Sequence, residues 1–538
     1  MSASRRERLV LLCLVAAYAA LVLFAGLGRL PLFGRDESLY AEAAREMHAS
    51  GDWVLPRVNG VPFLEKPPLY YWLAAASYRA FGVFPLAARL PAALFALATV
   101  VLVAWIGLRV WGRRAGLLAG VVFASGLLLA VVGRLGIMDA PLTFFTTGAL
   151  VTYVRWRRRG ALRYAAVFGL FVGLAVLLKS LAGFLPALIA CVHALAFRRP
   201  RPHPWALSAV VAIVIAAAVA APWFALAGAR DPSFWGTFTR ENFSRMGQAM
   251  QGHSGSPLYY VGVILLGFFP WIVFLPAAFR RGLGAGETKH LWRSLCVVWF
   301  AVVLVFFTLL TTKLPGYVTP LFPAIALLVG RELDRRLEEP GRAVWIAVAI
   351  GGVLLAAFLA AYLPHAVLNL GTRMGAEADA RFLIPTLLAW AGAYALVILG
   401  AALGWVGRRR AALALLALGQ TAALAVVLLW LAPIAAPFQE GGRESRLAEL
   451  ARANLPHHEV VLYDTWPQGA AFALQRPVRS YSRSQEAELR AHLRAGAAAL
   501  ITPGGKKRPA FLTALPVGRT WSVGNYLLSE IPGDGPER

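Results

Sequence analysis

The stretch ARLPAALFALATVVLVAWIGL (residues 88–108) holds a single charge in twenty-one residues. A helix needs about 20 mostly apolar residues to cross the hydrocarbon core of a bilayer, so this segment reads as a membrane span. Working outward in both directions gives twelve more runs of the same kind. The full set lies near 9–28, 88–108, 115–133, 140–154, 162–178, 180–197, 205–225, 257–279, 291–310, 315–330, 343–362, 382–405 and 411–432. The chain is therefore expected to be a polytopic α-helical membrane protein with about 13 transmembrane helices. Composition agrees. Of 538 residues, 59% are hydrophobic and 15% charged, with a mean hydropathy of +0.63. An average soluble chain is roughly 45–50% apolar and about 25% charged. A water-soluble enzyme of this length and a disordered chain are both excluded.

The net charge of +26 would suggest nucleic acid on a soluble protein. Here its distribution points elsewhere, and no nucleic-acid partner is expected. Short turns between spans are dense in arginine, as at Arg113–Arg114, Arg157–Arg159 and Arg408–Arg410. Alternate connections carry few cations and include two long loops, 29–87 and 226–256. Short basic loops are cytoplasmic, so the N-terminus is expected inside and, with an odd number of spans, the C-terminal tail outside. The first span follows a basic segment and reads as an uncleaved signal anchor. The three cysteines, Cys13, Cys191 and Cys296, lie in apolar runs and read as small buried hydrophobes.

Residues 1–436 form the expected membrane domain and 437–538 a second unit. In the latter, VVLYD (460–464), AAALITPG (497–504) and WSVGNYLLSEI (521–531) read as strands. ESRLAELARANL (444–455) and SQEAELRAHLRAG (484–496) read as amphipathic helices. The alternation implies a small extracytoplasmic α/β domain. GGKKRPA (504–510) reads as a solvated loop.

The first outer loop, FGRDESLYAEAAREMHASGDWVLPRVNGVPFLEKPPLYYWLAA (33–75), concentrates carboxylates in a chain that otherwise has few. Its first part reads as a helix capped near Asp36, ended by Gly51 and lying along the membrane surface. Asp36 follows the first span closely. A carboxylate at that depth faces a wet cavity and is a functional candidate, or serves as a helix N-cap; the two roles are compatible. Asp139, in GRLGIMDAPLTFF (133–145), is the only acid between Glu65 and Asp231 and admits the same two readings. Arg230, Arg240 and Arg245 stand in the second long outer loop, where cations are scarce and an anionic ligand would explain them. Lys179 and Lys313, at outer span edges, read either as snorkelling side chains or as site residues. His253 reads as a surface histidine or, with Glu65, as half of a metal site.

The motif GRDESLYAEAAREMHASGDWVLPRVNGVPFLEKPPLYYW resembles the first outer loop of the aminoarabinose transferase branch of the GT-C glycosyltransferases. That branch is related to the protein O-mannosyltransferases (glycosyltransferase families 83 and 39). MDAPLTFF, LKSLAGFLP (178–186), ENFSRM (241–246), FPW (269–271) and KLPGYVTPLFPAIALL (313–328) fit in order and spacing, covering about residues 1–335. The resemblance implies a GT-C fold in a bacterial inner membrane. It implies inverting transfer of 4-amino-4-deoxy-L-arabinose or a hexose from a polyprenyl-phosphate donor to a lipid or glycan acceptor of the cell envelope, such as lipid A. It implies Asp36 and Asp139 as the catalytic acids, with Glu37, Lys66, Arg245, Lys313 and Tyr317 binding substrate. By the same resemblance Lys66 and Arg245 hold the donor phosphate, and Glu65 with His253 can hold a divalent metal ion. The chain departs from the branch at Leu39, where relatives carry an arginine, which removes one phosphate contact.

The residue types suit that reaction. Cleaving the sugar–oxygen bond turns a phosphodiester of charge −1 into a monoester approaching about −2, because its second pKa is ~6. Fixed cations then favour the transition state over the ground state. A carboxylate beside a weak hydroxyl nucleophile accepts its proton. No phosphate-binding loop of the nucleotide type occurs, which fits a lipid-linked donor. Two other readings are a protein O-mannosyltransferase-like enzyme and a transporter of lipid-linked sugars. The latter should show symmetric broken helices in its two halves, and the sequence shows none.

Overall fold

The computed structural model describes residues 5–197, 205–244, 255–280, 287–339, 341–372, 380–432, 440–465, 468–476, 478–505 and 508–532. The chain enters with α1 (Arg5–Phe24). The first outer loop follows, with α2 (Gly34–Ser50), a small hairpin of β1 (Arg57–Val58) and β2 (Val61–Pro62), and α3 (Leu69–Phe81). The bundle continues through α4 (Pro85–Val110), α5 (Arg113–Ala124), α6 (Leu127–Val132), α7 (Asp139–Arg159), α8 (Leu162–Lys179), α9 (Leu185–Ala196), α10 (Trp205–Arg230) and the short α11 (Phe234–Thr239). Among the described residues eight helical stretches are long and apolar enough to cross a bilayer. Tyr259–Phe268 and Trp271–Arg280, bent by 106°, make a ninth if taken as one span.

The described helices therefore do not yield the expected thirteen by length and apolarity, and the reasons are local. The run near 115–133 is interrupted between α5 and α6. The backbone there finds partners inside the protein, as a membrane interior requires: Gln420 Nε2 donates to the Ser125 carbonyl at 3.1 Å, and Ser125 Oγ, which accepts from Trp271 Nε1, donates to the Val121 carbonyl at 2.7 Å. The run near 315–330 opens as a 3-10 turn, Pro315–Leu321, and is α-helical only over Phe322–Arg336. The apolar stretch Leu162–Ala196 reverses direction. Lys179, at the end of α8, meets Asp139 at the start of α7, whereas His193 in α9 meets Tyr153 and Arg157 near the end of α7. Ser180, with φ +42°, stops α8 at that turn.

Two buried arginines fix where α1 ends. Arg134 donates to the carbonyls of Val22, Leu23 and Ala25 at 2.7–3.0 Å. Arg89 donates to those of Leu27, Leu30 and Pro31 at 2.7–2.9 Å. The last carbonyls of a helix have no partner of their own; Arg134 supplies one to Val22 and Leu23, and Arg89 holds the segment that follows the helix. Leu39, the position at which the chain departs from its resembling branch, is buried in the main core. Of the cysteines, Cys296 is buried as expected, but Cys13 and Cys191 lie on the outer surface of their helices.

Beyond the bundle, β3 (Glu459–Tyr463), β4 (Arg479–Tyr481), β5 (Ala498–Pro503), β6 (Thr520–Val523) and β7 (Tyr526–Ile531) form one sheet in the order β4-β3-β5-β7-β6. The β4-β3-β5 part is parallel, and β5-β7-β6 is antiparallel. The stretch 521–531, read as one strand, is a hairpin. Gly524, at φ +60°, lets the chain turn between Val523 and Tyr526. Helices Glu440–Asn454 and Glu486–Ala495 flank the sheet, with apolar cores on both of its faces. A further helix, Gln468–Leu474, packs on α2 and α3: a Cβ at Gly469 would stand 3.1 Å from Ser38 Oγ in α2, Phe472 lies 6.2 Å from the Tyr78 ring in α3, and Gln475 donates to the Val83 carbonyl. So α2, expected to rest on the membrane surface, is instead covered, with residues 37–45 buried.

Candidate active site

The site forms where the first outer loop meets the same-side ends of α7 and α8. Asp36 and Glu37 stand in the first turn of α2, where the positive end of the helix favours carboxylates. The N-cap of α2 is Phe33, so Asp36 is inside the helix and is not its cap. Gly51, at φ +71°, closes α2 as its left-handed end, with its N–H on the Met47 carbonyl at 3.0 Å. Asp139 opens α7 in the same way, with Pro141 in the first turn, where a missing N–H costs nothing.

Tyr40, one turn after Asp36, links the two acids. Burial pushes its hydroxyl well above the usual phenol range, and Asp36, Tyr71, Tyr317 and Asp139 raise it further. Both aspartates thus act electrostatically on one neutral phenol. Tyr71 in α3 behaves similarly, raised by burial and then by Glu65 and Asp36. The rings of Tyr40 and Tyr71 lie 5.9 Å apart. Among the described residues Asp36 makes no hydrogen bond or ion pair, and it is exposed.

Asp139 is differently placed. Lys179 Nζ lies 2.6 Å from its Oδ1, with both side chains nearly buried. The same ammonium sits 4.7 Å above the Tyr317 ring. Gly316 closes the wall: a Cβ there would stand 3.2 Å from the Asp139 carboxyl carbon. Lys179, one of two open readings in the sequence, is therefore the cation at the centre of this cluster. The available signal was position: Lys179 and Asp139 fall at the same end of adjacent short helices.

The remaining expected residues are distributed as follows. Lys66 Nζ is 3.8 Å from Glu241 Oε2, which ties the first loop to the segment after α11; Glu241 was not among the candidates. Lys313 donates to the Thr308 and Leu310 carbonyls at 2.8 Å each and lies 5.5 Å from the Tyr260 ring, beside the site but holding the end of a helix. Arg230 pairs with Asp52 at 3.2 Å. Arg245 and His253 lie outside the described residues. Among the described residues no three His, Cys, Asp or Glu side chains are grouped as metal ligands would be, and the expected Glu65–His253 pair falls partly outside them.

Glu37, expected to touch substrate, is buried and engages both carboxylate oxygens within the protein. Arg89 grips it with Nε to Oε1 at 2.8 Å and Nη2 to Oε2 at 2.9 Å; Gly136 N–H donates at 2.6 Å, and Phe33 N–H also donates. A fork of this kind is among the stronger charge-assisted contacts. It locks α2 against α4 and the loop before α7, and so sets where Asp36 stands.

Comparison with known proteins adds the following. The family model described as dolichyl-phosphate-mannose-protein mannosyltransferase matches residues 9–238. An undecaprenyl phosphate-alpha-4-amino-4-deoxy-L-arabinose arabinosyl transferase from Pectobacterium carotovorum subsp. carotovorum is 33% identical over 360 residues, covering 63% of this chain and 64% of the relative. A protein of the same description from Aeromonas salmonicida is 32% identical over 354 residues, with the same coverage. The match thus spans a little under two thirds of these relatives. In three dimensions the chain is similar to ArnT from Cupriavidus metallidurans bound to undecaprenyl phosphate, with TM-score 0.78 and 24% identity over 98% of this chain and 99% of that one. The apo form gives the same TM-score at 23% identity. The two share one fold, including the sheet domain after the bundle.

Proposed function

We propose that this chain, similar in fold and in part of its sequence to GT-C glycosyltransferases, transfers a sugar from a polyprenyl phosphate to an acceptor of the cell envelope. The observation that carries this reading is the pairing of two outer-loop acids in different states. Asp36 is exposed and uncommitted among the described residues, whereas Asp139 is held by Lys179. Asp36 suits a base that takes the proton of an attacking hydroxyl, a role typically worth roughly 10²–10⁴-fold. Asp139 holds Lys179 in place, and Lys179 is the cation positioned to balance the charge that grows on the leaving phosphate. Lys66 and Arg245 are the further phosphate-holding cations of this proposal. Tyr40 and Tyr317 wall the space between.

The donor carries 4-amino-4-deoxy-L-arabinose or a hexose, and the acceptor is lipid A or another envelope glycan. Direct displacement inverts the anomeric centre. The site faces the extracytoplasmic side of a bacterial inner membrane, because the arginine-rich turns lie at the opposite end of the bundle. A divalent ion on Glu65 and His253 is a separate part of the proposal through which no step is routed. Chelator treatment that leaves activity and melting temperature unchanged would remove it.

The test is a transfer assay with purified protein in detergent, offered undecaprenyl-phosphate aminoarabinose or undecaprenyl-phosphate mannose, with lipid A or a protein acceptor. Transfer of one sugar, lost by about 10²-fold or more in Asp36→Asn, supports the reading. Wild-type turnover in that variant, or no transfer from any polyprenyl-phosphate donor, overturns it.

A further inference from the structure

The bundle end away from the candidate active site carries a second concavity. A cavity of about 460 Å³ opens between the ends of α4 and α7 and the start of α8. Four arginines line it, Arg109, Arg155, Arg158 and Arg159, all exposed, and among the described residues none has an acidic partner within salt-bridge distance. Three of them lie over aromatic rings. Arg109 and Arg155 lie 5.8 and 5.2 Å from the centroid of the same Trp105 indole, and Arg159 donates to the Tyr164 hydroxyl at 2.9 Å. Cation–π contacts orient guanidiniums without neutralising them, so the charge stays available.

This cavity does not end in protein. Trp105, Val151 and Arg155 also line a neighbouring groove of about 620 Å³ that runs along α4, α7 and α8 towards the middle of the bundle. Its other walls are apolar, including Leu97, Val101, Phe144 and Phe171. Gly148 keeps it shaped, because a Cβ there would stand 2.6 Å from the Phe171 ring. A basic turn alone is expected on the cytoplasmic side of any such protein. A basic cavity that continues into an apolar, membrane-depth groove is a different object, since its two halves match a charged head and a hydrocarbon tail.

We propose that this continuous cavity and groove is a binding site for an anionic phospholipid, its phosphate among Arg109, Arg155, Arg158 and Arg159 and one acyl chain along the α4–α7–α8 groove. Charge complementarity selects the head, and the apolar walls select a chain over a free anion. Clustered basic residues beside membrane helices attract anionic lipid.

The test uses the full chain in neutral detergent, with bound lipid counted by native mass spectrometry against phosphatidylglycerol, phosphatidylcholine, undecaprenyl phosphate and inorganic phosphate. One phosphatidylglycerol is expected to bind more tightly than phosphatidylcholine. Arg155→Gln/Arg158→Gln should weaken it by about tenfold or more, and Ala98→Trp, which fills the groove, should also weaken it. Arg408→Gln/Arg410→Gln, at the same end but outside the cavity, should leave it unchanged. Equal binding of both phospholipids, an equal loss in the Arg408/Arg410 variant, displacement by inorganic phosphate, or preference for undecaprenyl phosphate would each overturn the assignment. Should Ala98→Trp fail to fold, the two arginine pairs still decide between a specific site and bulk charge.

Discussion

Lys179 Nζ lies 2.6 Å from Asp139 Oδ1, joining the last residue of α8 to the first residue of α7. Each charge sits at the helix end that favours it, and each is nearly shut off from solvent, so the pair acts as one unit. Lys179→Met is expected to lower kcat/KM by about 10²–10³, the scale for losing one charge stabiliser of a transition state. Asp139→Asn should cost a comparable factor, and the double variant should be no worse than either single one. Steady-state transfer assays on the three variants, with melting temperatures alongside, check this. Fully additive losses would mean that the two residues act separately.

The Arg89–Glu37 fork is expected to be structural. Arg89→Gln leaves a buried carboxylate without its counter-charge, which typically costs about 3–5 kcal/mol. Thermal melts should fall steeply, while KM of the surviving folded fraction stays near wild type. A Glu37→Gln protein of normal stability but raised KM would return Glu37 to the substrate-binding role that the resemblance implied.

Glu42, inside α2, gives a pH signature. Burial raises its pKa to about 7 from 4.5, and the hydrogen bond and charge of Arg45 only partly oppose this. The folded state therefore binds a proton more readily than the unfolded chain. Its contribution is complete below pH 4.5 and is lost as pH rises through about 7, with a span of the order of 3 kcal/mol. Melting temperature measured across that window should decline in the wild type, and Glu42→Gln should flatten this part of the curve. An unchanged slope in the variant would assign it to other groups.

Phe472 anchors the sheet domain to the first loop, buried in the main core near Tyr78. Phe472→Ala should weaken that docking by about 3–5 kcal/mol. Limited proteolysis is then expected to release the domain sooner, with its own two apolar cores still protecting residues 440–532. Cleavage within the domain instead would mean that its fold depends on the contact.

Part of this was legible one segment at a time. Asp36 and Asp139 stood out because a carboxylate near a span end is costly and rare, and both raise the pKa of the buried Tyr40. The strands at 460–464 and 497–504 were readable as apolar runs of strand length. The hairpin at 520–531 was not separated, because Gly524 and Asn525 interrupt the run by only two residues. Adjacent carboxylates such as Asp36 and Glu37 look alike in a sequence, and what distinguishes them is that Arg89, fifty-two positions on, turns towards Glu37.

The sequence by itself determined what each segment does against a bilayer. It shows which runs are strongly apolar, which turns are basic, and that the tail is mixed in composition, because those are properties of a segment against its solvent. Only the tertiary structure decided the pairings: Lys179 with Asp139, Arg89 with Glu37, the sheet domain over α2. Those depend on which helix ends meet when the bundle packs, and contacts between distant segments leave no period or composition along the chain to read.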